Sequence, residues 1–513
     1  MRPSNMKNHN GIPIAMKKDI RISLVHDYAF SSKGRMPPLG LMYLSASLKK
    51  NGFRNIRILD LQLYRKPRKS LIEYLNSLDH QAPQLIGFYM NTPTRFVVQQ
   101  AIQITKKLHP HALVCAGGPH PTLDREATLS SCEGLDFIVA GEGERTFLES
   151  VQRLSENFQV ESLRGVAGTS LKIEDQIIHQ DLRPRIGDLD DIPFPDRDAV
   201  DIHGYRFEFP VVDQDLQKTL KPTTLISSRG CPYSCVFCSV ADQWGRMTTY
   251  HSPPRVIEEI KILKEQYGFN AFYFFDDTFT LDRNRVLDIC DRMLKAHLEI
   301  HWFCEIRANT VDQELLSIMY RAGLRSVAIG VESGNPRILN QVIKKGITLD
   351  EATRAIKICK KIGIYVKAFF SFSYPGETLD DVRMTLHYID TVRPDTFTMT
   401  KLVIYPGTPL YRHAVDDNIL AKEFDWFRYY SSYNSASNEL VMPIFIDRLS
   451  FKDFLAIEKE VSRLSIGMRK RRTPFQLLNI LGRNIKNTKS GKDLIIVLKR
   501  IGNYLFSLLP HQK

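Results

Sequence analysis

Residues 227–239 read SSRGCPYSCVFCS and place three thiols, Cys231, Cys235 and Cys238, at C-x3-C-x2-C spacing. The run Pro222 to Ser228 before them has the apolar character of a strand, and Gly230 and Pro232 interrupt regular structure after it. The thiols therefore belong to a loop at the carboxyl end of a strand. Thiolates this close together can converge on one soft metal centre. A cubane iron–sulfur cluster ordinarily takes four cysteines, so three leave one iron open to another ligand. A structural zinc site needs four ligands, commonly two close pairs. There is no second C-x2-C, and Cys290 and Cys304 fall in a helix and a strand pattern.

Strand and helix patterns alternate on both sides of this loop. Upstream, short apolar runs (Ile20 to Val25, Ile56 to Leu61, Leu85 to Tyr89, Leu113 to Ala116, Phe137 to Ala140) alternate with helical stretches, which predicts a doubly wound parallel sheet. Two glycine-rich turns, GGPHPT (117–122) and GEGE (141–144), follow its fourth and fifth strands, where such sheets bind ligands. Neither follows the dinucleotide pattern G-x-G-x-x-G. Downstream, the alternation predicts six β/α units, a partial barrel with its chemistry at the strand ends: Asp276-Asp277, Arg307, and Glu332-Ser333. Helix capping is the competing reading for Asp277. The predicted division is a disordered leader at 1–19, a first domain at 20–160, a Pro-rich linker at 161–218, a barrel at 219–415 and a mostly helical region at 416–513.

With Phe237 before its last cysteine, the loop resembles the cluster loop of radical S-adenosylmethionine enzymes. GGPHPT and GEGE, in this order before it, resemble the cobalamin-binding domain of the subfamily that carries both cofactors. Together the resemblance covers roughly residues 20–415. It implies a [4Fe-4S] cluster on Cys231, Cys235 and Cys238, with S-adenosylmethionine chelated at the open iron. It also implies cobalamin contacts at Gly117, Gly118, His120, Thr122, Gly141, Glu142, Gly143 and Glu144. The D-x-H-x-x-G signature is absent, so no histidine is expected beneath the cobalt. Phe237 is expected near the adenine, Asp276 and Asp277 near the methionyl amine, Arg307 near the carboxylate, and Glu332 and Ser333 near the ribose or carboxylate. SYPGET (373–378) resembles the family's G-x-PGET turn, with Ser373 where glycine is commoner.

The reaction implied is methylation of an unactivated carbon on a small-molecule, apolar or lipid-like substrate, driven by a reductant such as flavodoxin or ferredoxin. Ring closure or oxidation with the same cofactors is the alternative. A tRNA-modifying methylthiotransferase would carry three further cluster cysteines upstream, where only Cys115 and Cys132 stand. Eight cysteines and a polar amino-terminal stretch point to the cytoplasm. Of the net charge of +13, the segment 469–513 carries +10, with eleven Lys/Arg and one acid. With its apolar runs this predicts peripheral contact with an anionic membrane face rather than nucleic acid.

Overall fold

A computed structural model describes residues 20–26, 35–79, 84–174, 176–417, 419 and 448–468. The expected leader, an aromatic stretch at 425–433 and the basic tail 469–513 lie outside the described residues. Upstream of the thiol loop, the apolar runs become β1 (Arg21–His26), β2 (Ile56–Asp60), β3 (Gln84–Tyr89), β4 (Leu113–Gly117) and β5 (Phe137–Val139). They lie parallel in the order β2-β1-β3-β4-β5. Alternate side chains feed separate cores on the two faces, because helices cover both. Ile22 and Leu24 pack with Leu41 and Leu48 of helix Leu39–Lys50 and with Phe147 and Val151 of helix Gly143–Glu156. Val25, Ile86 and Phe88 pack instead with Leu71 and Leu75 of helix Pro67–Asn76 and with Val98 and Ile102 of helix Arg95–Leu108.

The sheet runs past residue 160. β6 (Thr169–Ile173) pairs antiparallel with β5, and β7 (Gln176–His179) pairs antiparallel with β6. The expected linker starting at 161 is corrected accordingly, and the sheet is mixed rather than wholly parallel. Its final hairpin turns through Glu174 at φ +53°, a local signal that a search for β/α alternation passes over. The segment after it is not a free linker either. Ile186, Leu189 and Ile192 share one core with Leu39, Met42 and Tyr43 of the first domain and with Ile257 and Ile260 of the second.

The second domain comprises β8 (Pro222–Leu225), β9 (Ser228–Arg229), β10 (Thr249–Tyr250), β11 (Ala271–Phe274), β12 (His301–Ile306), β13 (Leu324–Glu332), β14 (Tyr365–Phe372) and β15 (Thr396–Lys401). β8, β11, β12, β13, β14 and β15 form a parallel sheet in that order, the six units expected, with β8 and β15 at its edges. β9 and β10 make a short antiparallel ribbon beside the thiol loop. Inside the curve, Phe209 and Val211 pack against Tyr273, Phe303 and Ala328. The segment between the domains thus supplies part of the core inside the partial barrel. Residues 451–468 are helical, and Phe454 meets Phe372 with ring centroids 6.0 Å apart. Among the described residues, no helix is long and apolar enough to cross a membrane.

Candidate functional site

The thiol loop leaves β9 through Gly230, whose φ is +94° and whose Cβ, were it present, would lie 2.5 Å from the Met247 carbonyl. Only glycine makes this turn without moving backbone. The Gly230 N–H donates to Asp277 Oδ2 at 3.0 Å, and Cys231 Sγ lies 3.9 Å from Thr278 Oγ1. All three thiols are half-buried. Burial, more than any neighbouring charge, pushes the Cys238 thiol up to about 12 and raises Cys231 in the same direction. Without metal the Cys231 and Cys238 sulfurs hold protons, and bound iron would expel them. Among the described residues, no three His, Cys, Asp or Glu side chains converge on a single ion. A four-iron cluster takes each thiolate on a different iron.

Asp276 does not face ligand space. It is 2% exposed, and its carboxylate accepts from Ser227 N at 2.7 Å, Ser227 Oγ at 2.6 Å and Ser228 Oγ at 2.5 Å. Its oxygens hold the chain that leaves β8. Asp277 remains beside the thiols, with burial raising its carboxyl to about 6. Ser333 is likewise enclosed. It is fully buried, its Oγ accepting from Asn335 N and lying 3.2 Å from Thr385 Oγ1.

Glu332 ends β13 at φ +75° and pairs with Lys345 Nζ at 2.9 Å. A Cβ on Gly330 would lie 2.4 Å from that carboxylate, so glycine makes room for the pair. The Arg307 guanidinium lies 3.5 Å over the Tyr233 ring of the thiol loop and donates from Nε to Asn309 at 3.0 Å. Its Nη2 donates to the Lys345 carbonyl. Arg307, Lys345 and Glu332 form one polar wall next to the loop. Phe237 packs edge-on to Tyr374 with centroids 6.3 Å apart. Deeper in the barrel, Tyr273 stacks on Phe303 at 4.4 Å and donates from its hydroxyl to Glu305 at 2.9 Å.

Ser373, where glycine was the commoner expectation, sits at φ +72°. The strained turn is held by Glu377, whose Oε2 accepts from Ser373 N at 2.5 Å and Tyr374 N at 3.0 Å. Burial raises the Glu377 carboxyl to about 8 from an ordinary 4.5. The folded chain thus holds a proton that the unfolded chain releases between those values, so this group's contribution to stability falls as pH rises from about 4.5 to 8. Glu377→Gln should flatten that slope and raise the unfolding temperature relative to wild type at pH 8. Thermal unfolding of both proteins across this range checks it, and parallel curves would refute it.

In the first domain, Gly118 turns at φ +108° and Gly117 closes β4. Gly141, at φ +76°, would direct a Cβ into open space, an approach that a flat macrocycle can use. Thr122 ties the two turns together: its Oγ1 donates to the Gly118 carbonyl at 2.8 Å and accepts from Gly141 N at 3.0 Å. Gly143 opens its helix against Leu44. His120 is corrected from a loop contact to a buried residue of the short helix Pro119–Leu123. It is 4% exposed, with Nδ1 3.3 Å from Thr92 Oγ1, and burial holds its imidazole down to about 3. Glu142 and Glu144 are ion-pair partners. They meet Arg229, two residues before Cys231, at 2.9 and 2.6 Å. Arg229, Lys345, Tyr233 and Glu305 carried no motif that singled them out; only their placement does.

The profile of the radical SAM superfamily matches residues 225–389, and that of the B12 binding domain matches residues 25–151. An uncharacterised methyltransferase of Pyrococcus horikoshii is 33% identical over 396 residues, covering 77% of this chain and 81% of its own. An anaerobic magnesium-protoporphyrin IX monomethyl ester cyclase of Cereibacter sphaeroides is 27% identical over 420 residues, covering 80% and 66%. Among solved structures, the radical S-adenosylmethionine methyltransferase TsrM from Kitasatospora setae, with cobalamin and a [4Fe-4S] cluster bound, superposes with a TM-score of 0.63 at 21% identity. The match covers 77% of this chain and 75% of that one, and it shows the shared fold.

Proposed function

Because the chain belongs to the cobalamin-dependent radical S-adenosylmethionine methyltransferase family, we propose that it methylates an unactivated carbon of an apolar, lipid-like substrate. Its cofactors are a four-iron cluster, S-adenosylmethionine and cobalamin. When bound, they supply a hydrogen-abstracting radical and a methyl group for a carbon that is not nucleophilic. Cys231, Cys235 and Cys238 hold the cluster. Gly230 and Asp277 set the loop's path, while Arg307 and the Glu332–Lys345 pair orient the charged end of S-adenosylmethionine. Tyr273, Phe303 and Phe369 make the barrel interior apolar beneath Phe209 and Val211, with Glu305 as a polar group among them. A one-electron donor of the flavodoxin or ferredoxin class would serve the cluster.

The observation that carries the reading is the meeting of the two loops: the glycine turn after β5 lies against the chain that enters the thiol loop, joined by Arg229. Methyl transfer needs both cofactors at one substrate, and this junction brings their loops together. Anaerobic turnover of a lipid extract with methyl-deuterated S-adenosylmethionine should yield 5′-deoxyadenosine and a product carrying the deuterated methyl. The second reading, radical ring closure, is favoured by the similarity to the cyclase. It would yield 5′-deoxyadenosine and an unlabelled product.

A further inference from the structure

Two guanidiniums, Arg229 and Arg185, stand at the junction with Glu142 and Glu144. Arg229 faces two carboxylates, and all three side chains are no more than 7% exposed. Glu142 gives its other oxygen to Ile186 N at 2.6 Å. The guanidinium lies 5.5 Å from the Tyr43 ring of the first domain and 5.7 Å from the Trp244 ring that follows the thiol loop, so it is enclosed from both sides. The Arg229 carbonyl accepts from Arg185 Nη2 at 3.1 Å, and the next residue, Gly230, is held by Asp277. A continuous path of bonds therefore runs from Gly118 and Thr122 through Gly141 and Glu142 to Arg229, Gly230 and Cys231.

Buried ion pairs are a weak device for stability alone, since apolar groups of similar volume often do as well or better. What a planar guanidinium between two carboxylates adds is direction. We propose that Arg229 is a positioning residue that couples occupation of the cobalamin-binding turns to the geometry of the cluster loop. The inference rests on the functional reading above. Coupling of this kind is reciprocal: the cluster should tighten cobalamin binding by the factor that cobalamin tightens the cluster loop, typically about 5- to 150-fold.

The test uses full-length wild type, Arg229→Lys, and a triple variant carrying Glu142→Gln, Glu144→Gln and Arg229→Met, which leaves no buried charge unpaired. Each is titrated with hydroxocobalamin by absorbance, with and without an anaerobically rebuilt cluster. The reduced cluster's paramagnetic resonance spectrum is recorded with and without cobalamin. In wild type, the cluster should tighten hydroxocobalamin binding at least about fivefold, and cobalamin should alter the cluster's line shape. The triple variant should bind both cofactors with a coupling ratio near one and an unaltered line shape. Arg229→Lys, which keeps the charge without the fork, should fall between and serves alone if the triple variant does not fold. A wild-type ratio near one, or an unchanged ratio in the variants, would overturn the inference. A wild type that binds neither cofactor would instead overturn the functional reading, and this inference with it.

Discussion

Replacing Cys231, Cys235 and Cys238 together by alanine should leave a folded protein that holds essentially no iron or sulfide after anaerobic reconstitution, with turnover lost by several orders of magnitude. Cluster binding needs the thiolates, because cysteine sulfur is what ligates the irons of such a cluster. Folding should survive because the loop is half-buried rather than core, and removing thiols whose burial already opposes ionisation leaves no charge stranded. Iron and sulfide counts beside a circular dichroism melt separate the two effects. A full cluster in the triple variant would disprove the assignment.

Asp276→Ala should cost about 3–5 kcal/mol of stability in protein free of S-adenosylmethionine, as expected when a buried charged hydrogen-bond hub is removed from its partners. Three donors from Ser227 and Ser228 would lose their acceptor. Arg285, which donates to the Ser227 carbonyl at 2.8 Å, would lose a nearby opposing charge. The chain entering the thiol loop would loosen, so iron incorporation should fall as well. Urea unfolding without cofactors is the decisive measurement. A midpoint equal to wild type, with only S-adenosylmethionine binding impaired, would return Asp276 to the ligand-contact role.

Adjacent aspartates illustrate what reading a strand end can and cannot do. The pattern marked both Asp276 and Asp277 as polar groups at a barrel strand's carboxyl end, and both are there. Both lie just past β11, in the loop that follows Phe274. Which of the two faces the thiols depends on how β11 docks against β8, and no local pattern encodes that docking. Ser333, His120, Glu142 and Glu144 also stand at the marked segments, and the fold adds what the pattern could not: each side chain has a protein partner. Ser373 shows the converse. Its place in a glycine-favouring turn was legible from the motif, and its positive φ agrees.

Local chemistry suffices for the parts of this protein that are local. The spacing of three cysteines, the alternation of apolar strands with amphipathic helices, and the glycines at the ends of β4 and β5 are properties of short segments, and they specify the cluster loop and both α/β units. The pairing of β6 with β5, the packing of Phe209 and Val211 inside the barrel, the Glu332–Lys345 pair and the clasp of Arg229 by Glu142 and Glu144 join residues at least 13 positions apart or depend on one element packing against another. Burial of a charge is decided by what closes over it. Only tertiary packing supplies that cover, and so only the folded chain reveals which polar residues bind and which hold the binding loops in place.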